Sequence, residues 1–131
     1  MPYLTKIRDF FRDRPELDVH ALHREFEIPA DVSPQEFAAV IKIFGQRYQL
    51  PLGLLRPSDP MRVFLSPPRS SNPITWMNER TEFFASVAKL EDHLLEHREA
   101  RDLGPPAREP QTVREYALAC LGFELEPAKG G

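Results

Sequence analysis

Two histidines in the C-terminal half of the chain have the spacing of a metal site. His93 and His97 are four residues apart, which places both imidazoles on one face of a helix. With Glu96 they form the pattern H-x-x-E-H, in which two histidines hold zinc and the glutamate polarises a water molecule. His20 and His23 make a second pair. One interpretation is therefore a zinc-binding protein or metal-dependent hydrolase; the other is the solvated flank of an amphipathic helix.

Ser33 is the candidate for a modified or nucleophilic hydroxyl. It follows Asp31 and opens a predicted helix, where the helix dipole favours negative charge. The simpler interpretation is a capping box with Glu36, in which side-chain oxygens accept hydrogen bonds from free backbone N–H groups of the first turn. Both interpretations place the hydroxyl at the start of a helix.

A third candidate site lies in the middle of the chain. Residues 33–78 carry five basic and two acidic residues, whereas the whole chain has a net charge of −3. Because arginine and tryptophan are favoured at interaction hot spots, we expect a protein partner to bind here. The residues expected to contact it are Arg56, Asp59, Arg62, Arg69 and Trp76. The alternative is that Asp59 caps a local turn and Trp76 belongs to the core.

Composition limits the class of protein. A length of 131 residues suits one domain, and 41% hydrophobic and 28% charged residues are globular values. The acidic balance argues against nucleic-acid binding, because DNA-binding domains normally present a basic excess. The single cysteine, Cys120, is expected to be a buried and inert thiol. With no signal-peptide core and no apolar run of about 18 residues, the chain is predicted to be cytoplasmic, bacterial in type and without a membrane partner.

Hydrophobic periodicity predicts two long amphipathic helices. The first begins after the Ser33 cap, with Pro34 at its first position, and its apolar stripe ends at Tyr48. The second covers residues 78–103, with Gly104 expected just beyond its end. Shorter helices are predicted at residues 4–11, 18–28 and 112–121.

The segment between the long helices is predicted to be irregular but packed. Six prolines between residues 51 and 73 are mixed with leucines and other apolar residues, and only residues 61–65 have the pattern of a short strand. We therefore predict an all-α fold: a small irregular helical bundle of two long and two or three short helices, with a proline-rich loop packed across it. Residues 1–123 are expected to form the domain, and residues 124–131 a flexible tail.

The order of these elements resembles one known family. A helix that opens after Asp31-Val32-Ser33, a leucine-rich loop, and a short closing helix that begins Thr112-Val113 are similar to acyl-carrier-like four-helix domains, including uncharacterised bacterial branches. In that family a D-S-L motif carries phosphopantetheine, so the resemblance implies a carrier modified at or near Ser33. This chain lacks the intact motif, because Val32 separates Asp31 from Ser33 and Pro34 replaces the leucine.

The first choice among these functions is a non-catalytic interaction or adaptor protein. It would need no cofactor and would bind a protein partner through its basic, proline-rich central loop. The phosphopantetheine carrier and the zinc protein stay open as alternatives. The sequence gives no oligomeric state.

Overall fold

The regular structure of the described residues is helical, which confirms the predicted all-α fold. The computed structural model describes residues 2–68 and 72–125. Six α-helices and one 3₁₀ turn lie in these ranges: α1 Pro2–Phe11, α2 Val19–Glu25, α3 Pro34–Tyr48, the 3₁₀ turn Leu52–Leu54, α4 Arg62–Leu65, α5 Pro73–Glu99 and α6 Val113–Cys120.

α3 is the helix around which the others pack. Its start is capped as predicted, because the Ser33 hydroxyl oxygen accepts from the Glu36 N–H at 3.1 Å. α1, α2, α5 and α6 all contact α3. The burial of its apolar stripe therefore joins most of the bundle. The buried members of that stripe are Phe37, Val40, Ile41, Phe44 and Tyr48.

Aromatic rings fill the space between α1, α3, α4 and α6. Phe64 of α4 stacks on Phe11 with 5.6 Å between ring centroids, and it lies 4.7 Å from Tyr48. Phe44 contacts Phe64 at 4.9 Å and Tyr116 at 5.3 Å. Each such ring pair contributes about 0.5–1.5 kcal/mol beyond the area that it buries. The one-turn helix α4 is thus anchored by its buried phenylalanine.

The two long helices face each other, as their apolar stripes predict. Arg47 of α3 donates hydrogen bonds to Ser86 Oγ at 2.7 Å and to the Glu82 carboxylate at 3.2 Å. Two turns further along the interface, His93 Nε2 lies 2.7 Å from the Val40 carbonyl oxygen. Apolar residues of α5 are buried on the same side of the helix: Phe83, Leu90 and Leu94.

α5 begins earlier than predicted. Its first residue is Pro73 instead of residue 78, because Asn72 caps the helix. The Asn72 side-chain oxygen accepts from the N–H groups of Ile74 at 3.0 Å and Thr75 at 3.2 Å. An N-cap asparagine followed by proline is a helix start in its own right. The apolar stripe indicated a later start because the apolar residues of the first turns do not enter the core: Ile74 is 74% and Met77 63% exposed.

α5 also ends earlier than predicted. Its last residue is Glu99, and the left-handed residue after it is Asp102, with φ 56°, and not Gly104. The Leu103 N–H donates to the Arg98 carbonyl at 2.9 Å, so the chain has already turned before it reaches the glycine. Aspartate is one of the few residues besides glycine that adopt this left-handed conformation.

The central segment is irregular and packed, except that residues 62–65 form α4 where a short strand was predicted over residues 61–65. Met61 and Phe64 are buried while Leu65 is exposed, which is the three-residue spacing of a helix. The 3₁₀ turn before it lies against the chain at Leu17. A Cβ atom added to Gly53 would lie 2.3 Å from the Leu17 carbonyl oxygen, so the turn accepts only glycine at this position.

One hydrophobic cluster connects the helices, and Leu125 packs against it. Most of the predicted flexible tail, residues 126–131, lies outside the described residues, and the tail stays a prediction. Within residues 2–68 and 72–125, none of the helices is both long enough and apolar enough to cross a bilayer.

Candidate functional site

An open apolar groove runs along one side of α5. Its volume is about 770 Å³. One wall is α5, and the opposite wall consists of the end of α4 and the loop of residues 105–110, which brings three prolines to the lining. Tyr116 of α6 also lines the groove. A cavity of this size and polarity can receive several apolar side chains.

α5 presents a second face beside the one that enters the core. Residues three or four positions apart lie on one side of a helix. We call the following set the groove face: Trp76, Arg80, Phe84, Val87, Glu91 and Leu95. Its last four members line the groove. Phe84 is 54% exposed and the neighbouring Met77 is 63% exposed, so this side of α5 exposes a large apolar surface to solvent.

Arg80 is stacked between two aromatic rings of the groove face. Its guanidinium carbon lies 4.6 Å from the ring centroid of Trp76 and 5.1 Å from that of Phe84. In the part of the chain that the structure describes, no carboxylate or carbonyl accepts from this guanidinium. Stacking fixes the orientation of the cation and leaves its N–H donors free for an acceptor outside the chain.

The loop wall of the groove is braced by an ion pair. The Arg108 guanidinium donates two hydrogen bonds to Glu115, at 2.6 and 3.0 Å, and the Gln111 N–H donates to the same carboxylate at 2.7 Å. The hydrogen bonds from Arg108 hold the pKa of Glu115 below its usual range. This fork-shaped pairing holds the loop in position through contacts within the chain.

Tyr116 closes the floor of the groove. Its hydroxyl donates to the Leu90 carbonyl at 2.7 Å, and burial raises its pKa far above the usual range. Burial also raises the pKa of the neighbouring Cys120 to about 12. Both groups therefore stay protonated at neutral pH, and the thiol is unreactive.

A smaller cavity of about 360 Å³ continues the groove past α4. It shares Met61 and Leu65 with the groove, and the exposed Arg62 lies at its edge. Of the five residues predicted to bind a partner, Arg62 and the 39% exposed Trp76 thus lie beside or on this surface. Arg69 lies outside the described residues.

Arg56 and Asp59 hold the central segment together. Asp59 is 4% exposed; its carboxylate accepts from the Arg14 guanidinium at 2.8 Å through both oxygens and from the Arg56 N–H at 2.8 Å. The Arg56 guanidinium donates to the carbonyls of Gly53 at 2.7 Å and Pro15 at 2.6 Å. Both side chains are already bonded within the chain, as the turn-capping interpretation of Asp59 requires.

Ser33 performs the capping role at the start of α3. Besides accepting from the Glu36 N–H, its hydroxyl lies 3.4 Å from the Glu36 carboxylate. The residue is half-buried and does not line the groove. A phosphopantetheine attachment at or near Ser33 stays a prediction.

The pair His93 and His97 lies at the α3–α5 interface. The rings of His93 and His97 are 4.5 Å apart between centroids, and burial lowers the pKa of both. The hydrogen bond to the Val40 carbonyl engages His93 Nε2. In the described ranges, no three His, Cys, Asp or Glu side chains gather closely enough to hold a metal ion. Zinc binding by the pair stays a prediction that elemental analysis tests.

The groove is the feature that sequence reasoning missed. Its second wall comes from residues 105–110, which are distant in sequence from α5, so no local pattern connects them. One signal was present: adjacent Phe83 and Phe84 point to different sides of a helix, so both cannot enter the same core.

Comparison of the chain with protein-family models, with curated proteins and with solved structures gives no significant match.

Proposed function

We propose that this protein is a non-catalytic interaction module that binds an apolar helical segment of a partner protein in the groove along α5. The observation that carries the proposal is the open groove of about 770 Å³. Its walls are mainly apolar, and the 54% exposed Phe84 stands at its edge. Burial of such surface is the main favourable contribution to protein association.

The dimensions of the groove suit a helix. The stretch of α5 from Phe83 to Leu95 lines it, and twelve residues of helix rise by about 18 Å. An amphipathic helix of three to four turns places apolar side chains along that length, which is the groove-binding mode of helical recognition. Because the loop wall is braced by Arg108 and Glu115, the partner does not have to order it on binding.

The basic central loop contributes at one end of this surface. Arg62 is exposed at the smaller cavity and is available to a carboxylate of the partner. Arg56 supports the surface from within by fixing the 3₁₀ turn. The proposal therefore keeps the basic segment predicted from sequence, and it moves the apolar part of the binding surface to α5.

Capture of partner proteins from a lysate of the cells that express the chain tests this function. Phe84→Glu places a charge on the exposed groove face and should remove at least nine-tenths of the captured partner, which is about 1.4 kcal/mol of binding. Arg62→Glu should weaken capture less, because it lies at the rim.

Lys89→Glu is the matched control. It is exposed on α5 but lies two residues from both Val87 and Glu91, about 200° around the helix from the groove face. Its capture should equal that of the unchanged chain. Equal capture by Phe84→Glu and by the unchanged chain, with both folded by circular dichroism, would contradict the proposed function.

A further inference from the structure

The groove face carries two opposite charges at matched positions. Arg80 and Glu91 are eleven residues apart, which is three helical turns and about 16 Å along the axis. They therefore lie on one side of α5, with Phe84 and Val87 between them. Within the described ranges, neither the Arg80 guanidinium nor the Glu91 carboxylate has a hydrogen-bonded or ionic partner in the chain.

The residues of the groove face are placed symmetrically along α5. Arg80 and Glu91 are equally far from a point between Ala85 and Ser86, and the same point bisects the pair Phe84 and Val87. It also bisects Trp76 and Leu95. An antiparallel copy of the same helix, turned about a two-fold axis through that point, would place cation against anion twice and apolar residue against apolar residue.

We propose that the partner helix is α5 of a second copy of this chain, packed antiparallel so that Arg80 of each copy pairs with Glu91 of the other. This rests on the proposed function and names the partner of the same groove. The contact is isologous, because each copy contributes the same surface, and it closes at a dimer. Phe84 and Val87 form its apolar centre, and the two ion pairs form its rim.

The stacking of Arg80 strengthens the complementarity. The rings of Trp76 and Phe84 hold the guanidinium in one orientation before the partner arrives. Less side-chain freedom is then lost when the ion pair forms. A partner of unrelated sequence would have to supply a carboxylate and a cation with this same spacing, whereas a second copy supplies both at once.

Sedimentation of the full chain over a wide range of concentration tests the dimer. The unchanged chain should reach twice the mass of one chain, and its dissociation constant should rise with salt. Arg80→Glu and Glu91→Arg should each weaken the dimer by about tenfold or more, because each change turns two attractive pairs into repulsive ones. The double variant Arg80→Glu with Glu91→Arg should dimerise about fivefold more tightly than either single variant, since exchanging both charges restores the two pairs. It should stay weaker than the original, because the arginine at position 91 no longer stacks on Trp76 and Phe84.

Lys89→Glu again serves as the control and should leave the dimer unchanged. All four variants alter exposed or half-buried positions, and thermal unfolding confirms that each is folded. A chain that stays monomeric at every concentration overturns the inference, and so does a double variant as weak as the single ones. In either case the capture experiment with Phe84→Glu still decides the proposed function, because a monomer can hold a different protein in the groove.

Discussion

A single carboxylate, that of Asp59, connects the N-terminal part of the chain to the central segment. It is almost completely buried and accepts two hydrogen bonds from Arg14, which is only partly exposed. Removing one partner from a buried pair leaves the other charge without compensation. This is why a residue expected at a binding surface is instead part of the interior.

Asp59→Asn should lower the free energy of unfolding by about 2–4 kcal/mol, because the Arg14 cation loses its charged acceptor while its burial remains. Chemical denaturation followed by circular dichroism measures the change. The matched control is Asp9→Asn, which breaks the exposed 3.4 Å pair with Arg12 and should cost no more than about 0.5 kcal/mol. Equal decreases in the free energy of unfolding for the two variants would show that the Asp59–Arg14 pair does not stabilise the contact between the N-terminal part and the central segment.

At the scale of elements, the sequence predicts what local chemistry determines. The start of α3 follows from the Ser33 cap with Pro34 after it, and α6 likewise begins behind Thr112, whose hydroxyl accepts from the Glu115 N–H at 3.2 Å. The burial of the α3 stripe follows from its spacing. These features need no knowledge of the rest of the fold.

Elements whose form depends on distant neighbours could not be predicted in the same way. α4 is one turn long and exists because Phe64 enters the aromatic cluster between Phe11, Phe44 and Tyr48. The early end of α5 depends on the turn at Asp102. At α4 tertiary contacts outweighed the local pattern of residues. At the end of α5 the long-range contact is that of the buried Arg98, which donates to the Ala119 carbonyl of α6 at 3.0 Å.

A substitution in the 3₁₀ turn tests whether close packing against a distant part of the chain stabilises this element. Gly53→Ala should lower the free energy of unfolding by about 1–3 kcal/mol, since the added methyl group would overlap the Leu17 backbone. Gly104→Ala is the control: nothing lies within 4 Å of a Cβ added there, and its cost should be close to zero. Comparable melting temperatures for the two variants would refute the close approach at Gly53.

For the whole molecule, the groove explains why α5 carries more apolar residues than the core can bury. Its inner face supplies Phe83, Leu90 and Leu94 to the bundle. Its groove face keeps Phe84 and the stacked Trp76 at the surface. The sequence shows how many apolar residues α5 contains. How they divide between a core face and a groove face depends on where the loop of residues 105–110 packs, which no local pattern predicts.

If the proposed interaction occurs in cells, the groove face of α5 is covered there by a bound protein surface. Hydroxyl-radical footprinting of the chain inside cells, compared with dilute purified protein, measures this most directly. Phe84 is 54% exposed and Phe10 of α1 is 44% exposed, so Phe10 serves as the internal reference for the oxidation of Phe84. We expect the oxidation of Phe84 and Met77 to fall severalfold in cells while that of Phe10 stays constant. Oxidation of Phe84 that is equal in cells and in dilute solution would contradict the claim.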